Sequence, residues 1–450
     1  MEITNFKQYS VIVDGGTGVL FQPMTDEYFY ILTAKHNLQN KIDSINYVDK
    51  DDNSVIKLVR FIFEEGVFNT EEIPFILIKG QTYFPHPNIN IDAAILKVKF
   101  DEYKKFEIID LHISDDTTIN SDAYLCGFPD DKRKANLEDY QAQFTNHTIS
   151  QNTNNVGSKK SVRLLENQTI DTIIGMSGGG IVKTYDNYFK LIGIQSQMTN
   201  TISGQNEIDF LPMIFFNKIV DENSQILAPL LPSYLTSFKI LTKEILRLEE
   251  AIPELIPKLK SAISEQLKNV TTNPLEICNN NILNKLLTQN AIENNLNSKD
   301  FWVACLEYLL ILSLLEDKAI DIDSLILLID EKRLLHSDTN LSWIQILPEI
   351  LNSDIQDLKE GSTLIVSTRK TPSAKKRLNT EYIRDIADPQ IDFTIDRVNS
   401  IKKIKEIIHI KAFEIDCFIN NEHSLNEFKP LQVTELITEL KKIVNEFFEN

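Results

Sequence analysis

At 450 residues the chain is too long for a single hydrophobic core, and its length predicts two or three domains. A composition of 42% hydrophobic and 25% charged residues is that of a globular protein and excludes a disordered or low-complexity chain. A formal net charge of −19 makes it a poor general binder of nucleic acid or anionic membrane, so neither is expected as a direct partner.

The first residues lack the charged-then-apolar pattern of a signal peptide, and no uncharged apolar run is long enough to span a bilayer. The most apolar stretch, Phe301 to Leu315, carries Glu307 and reads as a buried helix. Cys126, Cys278, Cys305 and Cys417 are too scattered for a metal motif or a disulfide framework, and no metal or cofactor is expected.

In chain order, residues 10 to 20 read as strand, Gly-rich turn and strand. Tyr28 to Thr33 is the next strand, with His36 just past its end. Short strands follow at 57–63 and 75–78, then one opening at Asp92. Tyr124 to Pro129 reads as a strand and turn, and the polar segment 130–160 as a long loop with a strand or two. Gly180–Lys183 and Phe189–Gln195 are paired strands around the Asp186-Asn187 turn, and a helix at 211–221 closes the region. Many short strands with turn signals predict an all-β pair of barrels over 1–222.

Past residue 223 the period changes. Leu235, Phe238, Leu241, Ile245 and Leu248 share one helical face, predicting a helix over 234–251. Further helices are predicted at 254–269, 275–288, 298–316 and 321–336, punctuated by Pro253, Pro257 and Pro274. This gives a mainly helical domain over 223–360. The remainder, 361–450, is predicted as a small α/β or α region, with a strand at 363–367, a solvated basic loop at 369–377 and helices at 397–420 and 433–448.

The stretch Gly175-Met176-Ser177-Gly178-Gly179 carries the chemistry. A serine nucleophile needs a neighbouring base, and the oxyanion it creates needs fixed N–H donors. Gly175 and Ser177 are spaced so that one tight turn can aim both N–H groups at a point. Two other apolar runs each deliver one polar residue: His36, in Leu32-Thr33-Ala34-Lys35-His36, and Asp92, in Asp92-Ala93-Ala94-Ile95-Leu96-Lys97-Val98. His86 reads as a loop residue, and Asp101, Asp115 and Asp116 lie outside these boxes.

The three boxes, in the order His, Asp, Ser, resemble those of trypsin-like serine proteases with a chymotrypsin-like double barrel. The likeness covers roughly residues 8–220. Gly16-Thr17-Gly18-Val19-Leu20-Phe21 also resembles the opening hairpin of HtrA-like bacterial relatives. The resemblance implies a serine endopeptidase in which His36 takes the Ser177 proton, Asp92 supports His36, and the Gly175 and Ser177 N–H groups hold the oxyanion. Asp171 falls at the base of the primary specificity pocket, which implies cleavage after Arg or Lys, while Met198 falls where such enzymes keep a pocket-opening glycine. Met176 replaces the aspartate that pairs with a newly cut N-terminus, so control must come otherwise, with the loop at 175–180 a candidate two-state element. Secreted members of the family carry disulfides, which places this chain in the cytoplasm.

An inactive protease fold used as a binding module is the alternative reading. A cytosolic trypsin-like domain fused to an unassigned helical half also resembles effectors of ABC-three-component or Lamassu-like systems and proteases that activate gasdermins. That likeness implies a bacterial antiphage role, with an ABC-type ATPase or other sensor as regulatory partner.

Overall fold

The computed structural model describes residues 2–449 other than 26, 43–46, 65–66, 100–110, 115–116, 118, 120–122, 137–138, 157–158, 166–171, 185–187, 199–206, 247, 249–250, 289–297, 370–376, 380–394 and 430–431. The chain folds as two compact units, Met1–Ser233 and Tyr234–Asn450.

The first half of unit one contains β1 (Ser10–Val13), β2 (Gly16–Phe21), β3 (Tyr28–Ala34), β4 (Gln39–Lys41), β5 (Tyr47–Asp49), β6 (Val55–Glu64), β7 (Val67–Ile76), β8 (Tyr83–Pro85) and β9 (Ala93–Lys99). Seven of them form an antiparallel sheet in the order β7-β6-β1-β2-β3-β9-β8, with β4 and β5 a separate hairpin. The second half holds β10 (Leu111–Ile113), β11 (Ala123–Gly127), β12 (Arg133–Asn136), β13 (Asp139–Ala142), β14 (Thr145–Val156), β15 (Lys159–Leu164), β16 (Gly180–Thr184), β17 (Phe189–Met198) and β18 (Glu207–Pro212). Here β17-β16-β11-β14-β15-β18 closes on itself through a β17–β18 pairing, so this sheet is a true barrel, with β10 added alongside β17. The layout is compatible with a chymotrypsin-like double barrel.

Alternation along the strands explains why the two sheets meet. Successive strand residues face opposite sides. In β2, Leu20 enters the core of the first sheet with Val11, Ile31 and Leu96. Its neighbours Val19 and Phe21 enter a second core shared with Cys126, Val182, Leu191 and Leu211 of the barrel. β2 and β3 are buried along their whole length for this reason. The barrel interior is filled by residues such as Leu125, Val162, Met176, Ile181 and Phe210.

After helix α1 (Ile214–Glu222) the chain straps back over the first sheet. Leu227 and Leu230 join the shared core. The Tyr30 hydroxyl donates to Ala228 O at 2.9 Å, and the Tyr28 hydroxyl accepts from Ala228 N at 2.8 Å.

Unit two opens differently from its helical pattern. The stretch predicted as a helix over 234–251 is short 3₁₀ turns, including Phe238–Lys243, followed by left-handed residues Leu246 (φ 44°) and Leu248 (φ 54°). The cause is tertiary. Glu307 and Glu414 carboxylates accept from the N–H groups of Leu246 and Leu248, satisfying backbone that a helix would otherwise pair. Helix α2 (Ile256–Gln266) and the buried α3 (Lys299–Leu315) follow, the latter capped by Ser298. The helix predicted over 321–336 ends early as α4 (Ile322–Leu328), and β19 (Lys332–Ser337) takes up its remainder. β19, β20 (Ser362–Thr368) and β22 (Ile404–His409) run parallel, with β21 (Arg377–Asn379) antiparallel on the edge. The long helix predicted at 397–420 is broken in the same way by β22. Ile404–His409 is buried at every position but Lys405 and so lacks an alternating polar face, and period alone does not separate such a strand from a buried helix. The chain is thus multidomain: β-barrel sheets, then helices, then a small mixed α/β part.

The strap sets where unit one ends. A fragment of residues 1–233 is expected to melt as one cooperative unit. A fragment ending at 222 loses two buried leucines and the Tyr30 acceptor, a cost of about 3–6 kcal/mol. Thermal denaturation of both fragments checks this, and equal melting temperatures would show that the strap adds nothing.

Candidate active site

Two strand ends bring His36 and Asp92 together. Ala34 pairs with Ala93 in the β3–β9 ladder, so the residues just past β3 and just before β9 are neighbours. Lys35 N donates to Asp92 O at 2.8 Å, closing the junction. A short 3₁₀ turn, Lys35–Leu38, then turns the His36 ring back toward the carboxylate. Asp92 Oδ1 accepts from His36 N at 2.9 Å and Oδ2 from His36 Nδ1 at 2.7 Å. A carboxylate only accepts, so Nδ1 carries a proton toward Asp92, and in the neutral form of the ring Nε2 is the acceptor. Nε2 lies 2.7 Å from Ser177 Oγ.

Ser177 comes from the other sheet, in the loop before β16. Gly178 N donates to Gln195 O, and Gly179 N donates to Met176 O. Gly178 has φ +90°, and a Cβ there would lie 1.8 Å from Thr17 O, so only glycine fits where the loop crosses β2. Ser177 O accepts from Thr17 N and from Asn37 Nδ2, each at 2.7 Å. Among the described residues the Gly175 and Ser177 N–H groups have no protein acceptor. Two free donors beside a serine hydroxyl are what an oxyanion requires.

Sequence reasoning missed Ser196. Its Oγ donates to Asp92 Oδ2 at 2.7 Å, and its carbonyl oxygen lies 2.5 Å from Ser177 Oγ, where it competes with His36 Nε2 for the single hydroxyl proton. Lys159 Nζ lies 3.1 Å from Ser196 Oγ. An ammonium only donates, so it fixes the Ser196 proton on Asp92. Burial pushes the Asp92 carboxyl up, but the hydrogen bond and charge of His36, with the bonds from Ser196 Oγ and His36 N, outweigh it and hold the group below its ordinary 3.8. No signal in the sequence marks Ser196 beyond its place at the end of an apolar strand. The Tyr47 ring sits 5.4 Å from that of His36.

The other candidates fare differently. Asp171, Asp101, Asp115 and Asp116 lie outside the described residues. Met198 ends β17 with its backbone opposite Ile208. His86 is buried after β8, where its Nδ1 accepts from Asn88 N, apart from the site. All four cysteines are free thiols. Among the described residues no cluster suited to a metal ion occurs, and no helix is long and apolar enough to cross a membrane.

Residues 210–419 match the family model for C-terminal domain 4 of the ABC-three component (ABC-3C) systems. The match spans just under half of the chain. It begins in β18 and runs through most of unit two, leaving the His36–Asp92–Ser177 constellation outside it. A search of the curated proteins gives no match.

Because the folded-state value of Asp92 is depressed, its charge persists as pH falls through the ordinary carboxylate range. Protonation of Asp92 should therefore leave no mark on the pH profile of fluorophosphonate labelling of Ser177 above about pH 4, and an Asp92→Asn variant should remove no acid limb above that pH. An Asp92 protonation step entering the profile above about pH 4 would contradict the assigned hydrogen bonds.

Proposed function

We propose that this chain is a serine endopeptidase that serves as the effector of an ABC-three component antiphage system. The match over residues 210–419 supports a role in antiphage defence. The observation that carries the enzymatic reading is the bridge made by His36, 2.7 Å from both the Asp92 carboxylate and the Ser177 hydroxyl.

In this mechanism a peptide carbonyl enters beside Ser177. The hydroxyl oxygen attacks the carbonyl carbon while His36 Nε2 takes its proton. Asp92 keeps the ring in the right tautomer and stabilises the imidazolium. The Gly175 and Ser177 N–H groups hold the oxyanion. The imidazolium then protonates the leaving amine, and water repeats the sequence to release the acid and free Ser177. Protein or peptide is the substrate class. The reading also takes the chain as cytoplasmic, with an ABC-type ATPase or another sensor governing the protease.

Groups that act as one unit give non-additive losses. Ser177→Ala and His36→Ala should each cut turnover of a mixed peptide library by about 10⁴-fold or more, with the double variant little worse than either. Ser177→Ala in the complete system should also abolish protection against phage. Undiminished peptide turnover in Ser177→Ala would refute the enzymatic reading.

A further inference from the structure

The Gly175 donor depends on which way the peptide planes on its two sides face. The C=O and N–H of a trans peptide point in opposite directions. Asp130 N donates to Ile174 O at 2.7 Å, and this turns the Gly175 N–H the other way, into the site. In the next plane, Gly175 O accepts from Thr17 Oγ1 at 2.8 Å and from Arg133 Nη2 at 2.6 Å, while Met176 N donates to Ile173 O at 2.9 Å. Gly175 itself has φ +91°, and glycine alone imposes little preference between alternative planes. The orientation must be held from outside the loop.

Arg133 holds it. Its side chain is only 9% exposed, and its fork reaches three parts of the chain at once. Nε and Nη2 donate to Phe128 O at 2.9 and 2.6 Å, closing the turn that presents Asp130 N to Ile174 O. Nη1 lies 3.1 Å from Asp130 Oδ1 in the same turn. Nη1 also donates to Gly15 O at 3.0 Å, with Gly16 O 3.2 Å from Nη2, and so anchors the fork on the β1–β2 turn of the first sheet. A buried guanidinium is costly unless its donors are used, and here they are used on carbonyls around the loop.

We infer that Arg133 is the positioning residue that locks the loop at 174–177 in its oxyanion-binding form, with no cleaved N-terminus required. It acts on Gly175 O directly and on Gly175 N–H through Asp130. A lysine supplies charge without the fork, so it cannot replace it. This rests on the peptidase reading for its consequence, but the lock itself is a property of the loop.

Two measurements on the full-length chain test it. The first is amide hydrogen exchange over residues 172–180 in wild type and Arg133→Met. The Met176 amide is expected to exchange at least about 10-fold faster in the variant, with β16 and β17 unchanged. The second is turnover of the peptide library. Loss of one oxyanion donor costs about 10²–10³-fold in kcat, and that loss is expected here with KM nearly constant. Arg133→Lys should behave like Arg133→Met, and added methylguanidinium should restore part of the rate to Arg133→Ala. Arg133→Lys also decides the matter if Arg133→Met exchanges throughout as an unfolded chain. Wild-type exchange in a folded Arg133 variant, or wild-type kcat, overturns the lock. If wild type itself turns over no peptide and takes no phosphonate, the peptidase reading fails while the exchange arm still decides whether Arg133 holds the loop.

Discussion

Ser177 is carried by one sheet and His36 by another, and a short set of contacts makes them neighbours. Thr17 N and Asn37 Nδ2 both reach Ser177 O across this junction, from β2 and from the turn that carries His36. Hydrogen bonds of 2.7 Å on either side of an imidazole tolerate little relative movement. The site therefore depends on the shared core beneath it, where Val19, Phe21 and Leu32 pack against Val182, Leu191 and Leu211. Asp130 N holds the Ile174 carbonyl and Gly179 N the Met176 carbonyl, and in those two peptide planes the Gly175 and Ser177 N–H groups face the opposite way.

What the sequence revealed of this arrangement follows from locality. His36, Asp92 and Ser177 each sit at the end of an apolar run or in a Gly-rich turn, so short boxes single them out, and the structure brings these three together. Thr17, Arg133 and Ser196 are ordinary residue types in ordinary strands. Their roles arise from partners far along the chain, as with Thr17 and Gly175, 158 residues apart. No local pattern encodes such a meeting. The helical half shows the same limit in another form. Apolar spacing over 234–251 satisfies a helical period, yet carboxylates from Glu307 and Glu414 claim the backbone there. In β19 and β22 burial of every position but Lys332 and Lys405 erases the alternation that marks a strand.

Unit two keeps its charges inside as well. Arg333 is fully buried, 2.7 Å from the Asp357 carboxylate and 3.2 Å from that of Asp330. Removing one partner of such a cluster would leave a buried charge uncompensated. The family match lies over this half, and the proposed chemistry over the other. An effector joined to a separately folding domain fits that division.

In the proposed mechanism Ser177 is a nucleophile facing two preset donors. The most direct measurement is a crystal structure of the chain after reaction with a fluorophosphonate. The account predicts a covalent bond at Ser177 Oγ, with one phosphonyl oxygen within hydrogen-bond distance of both the Gly175 and Ser177 N–H groups. An unmodified Ser177, or an adduct whose oxygen faces away from those two groups, would contradict it.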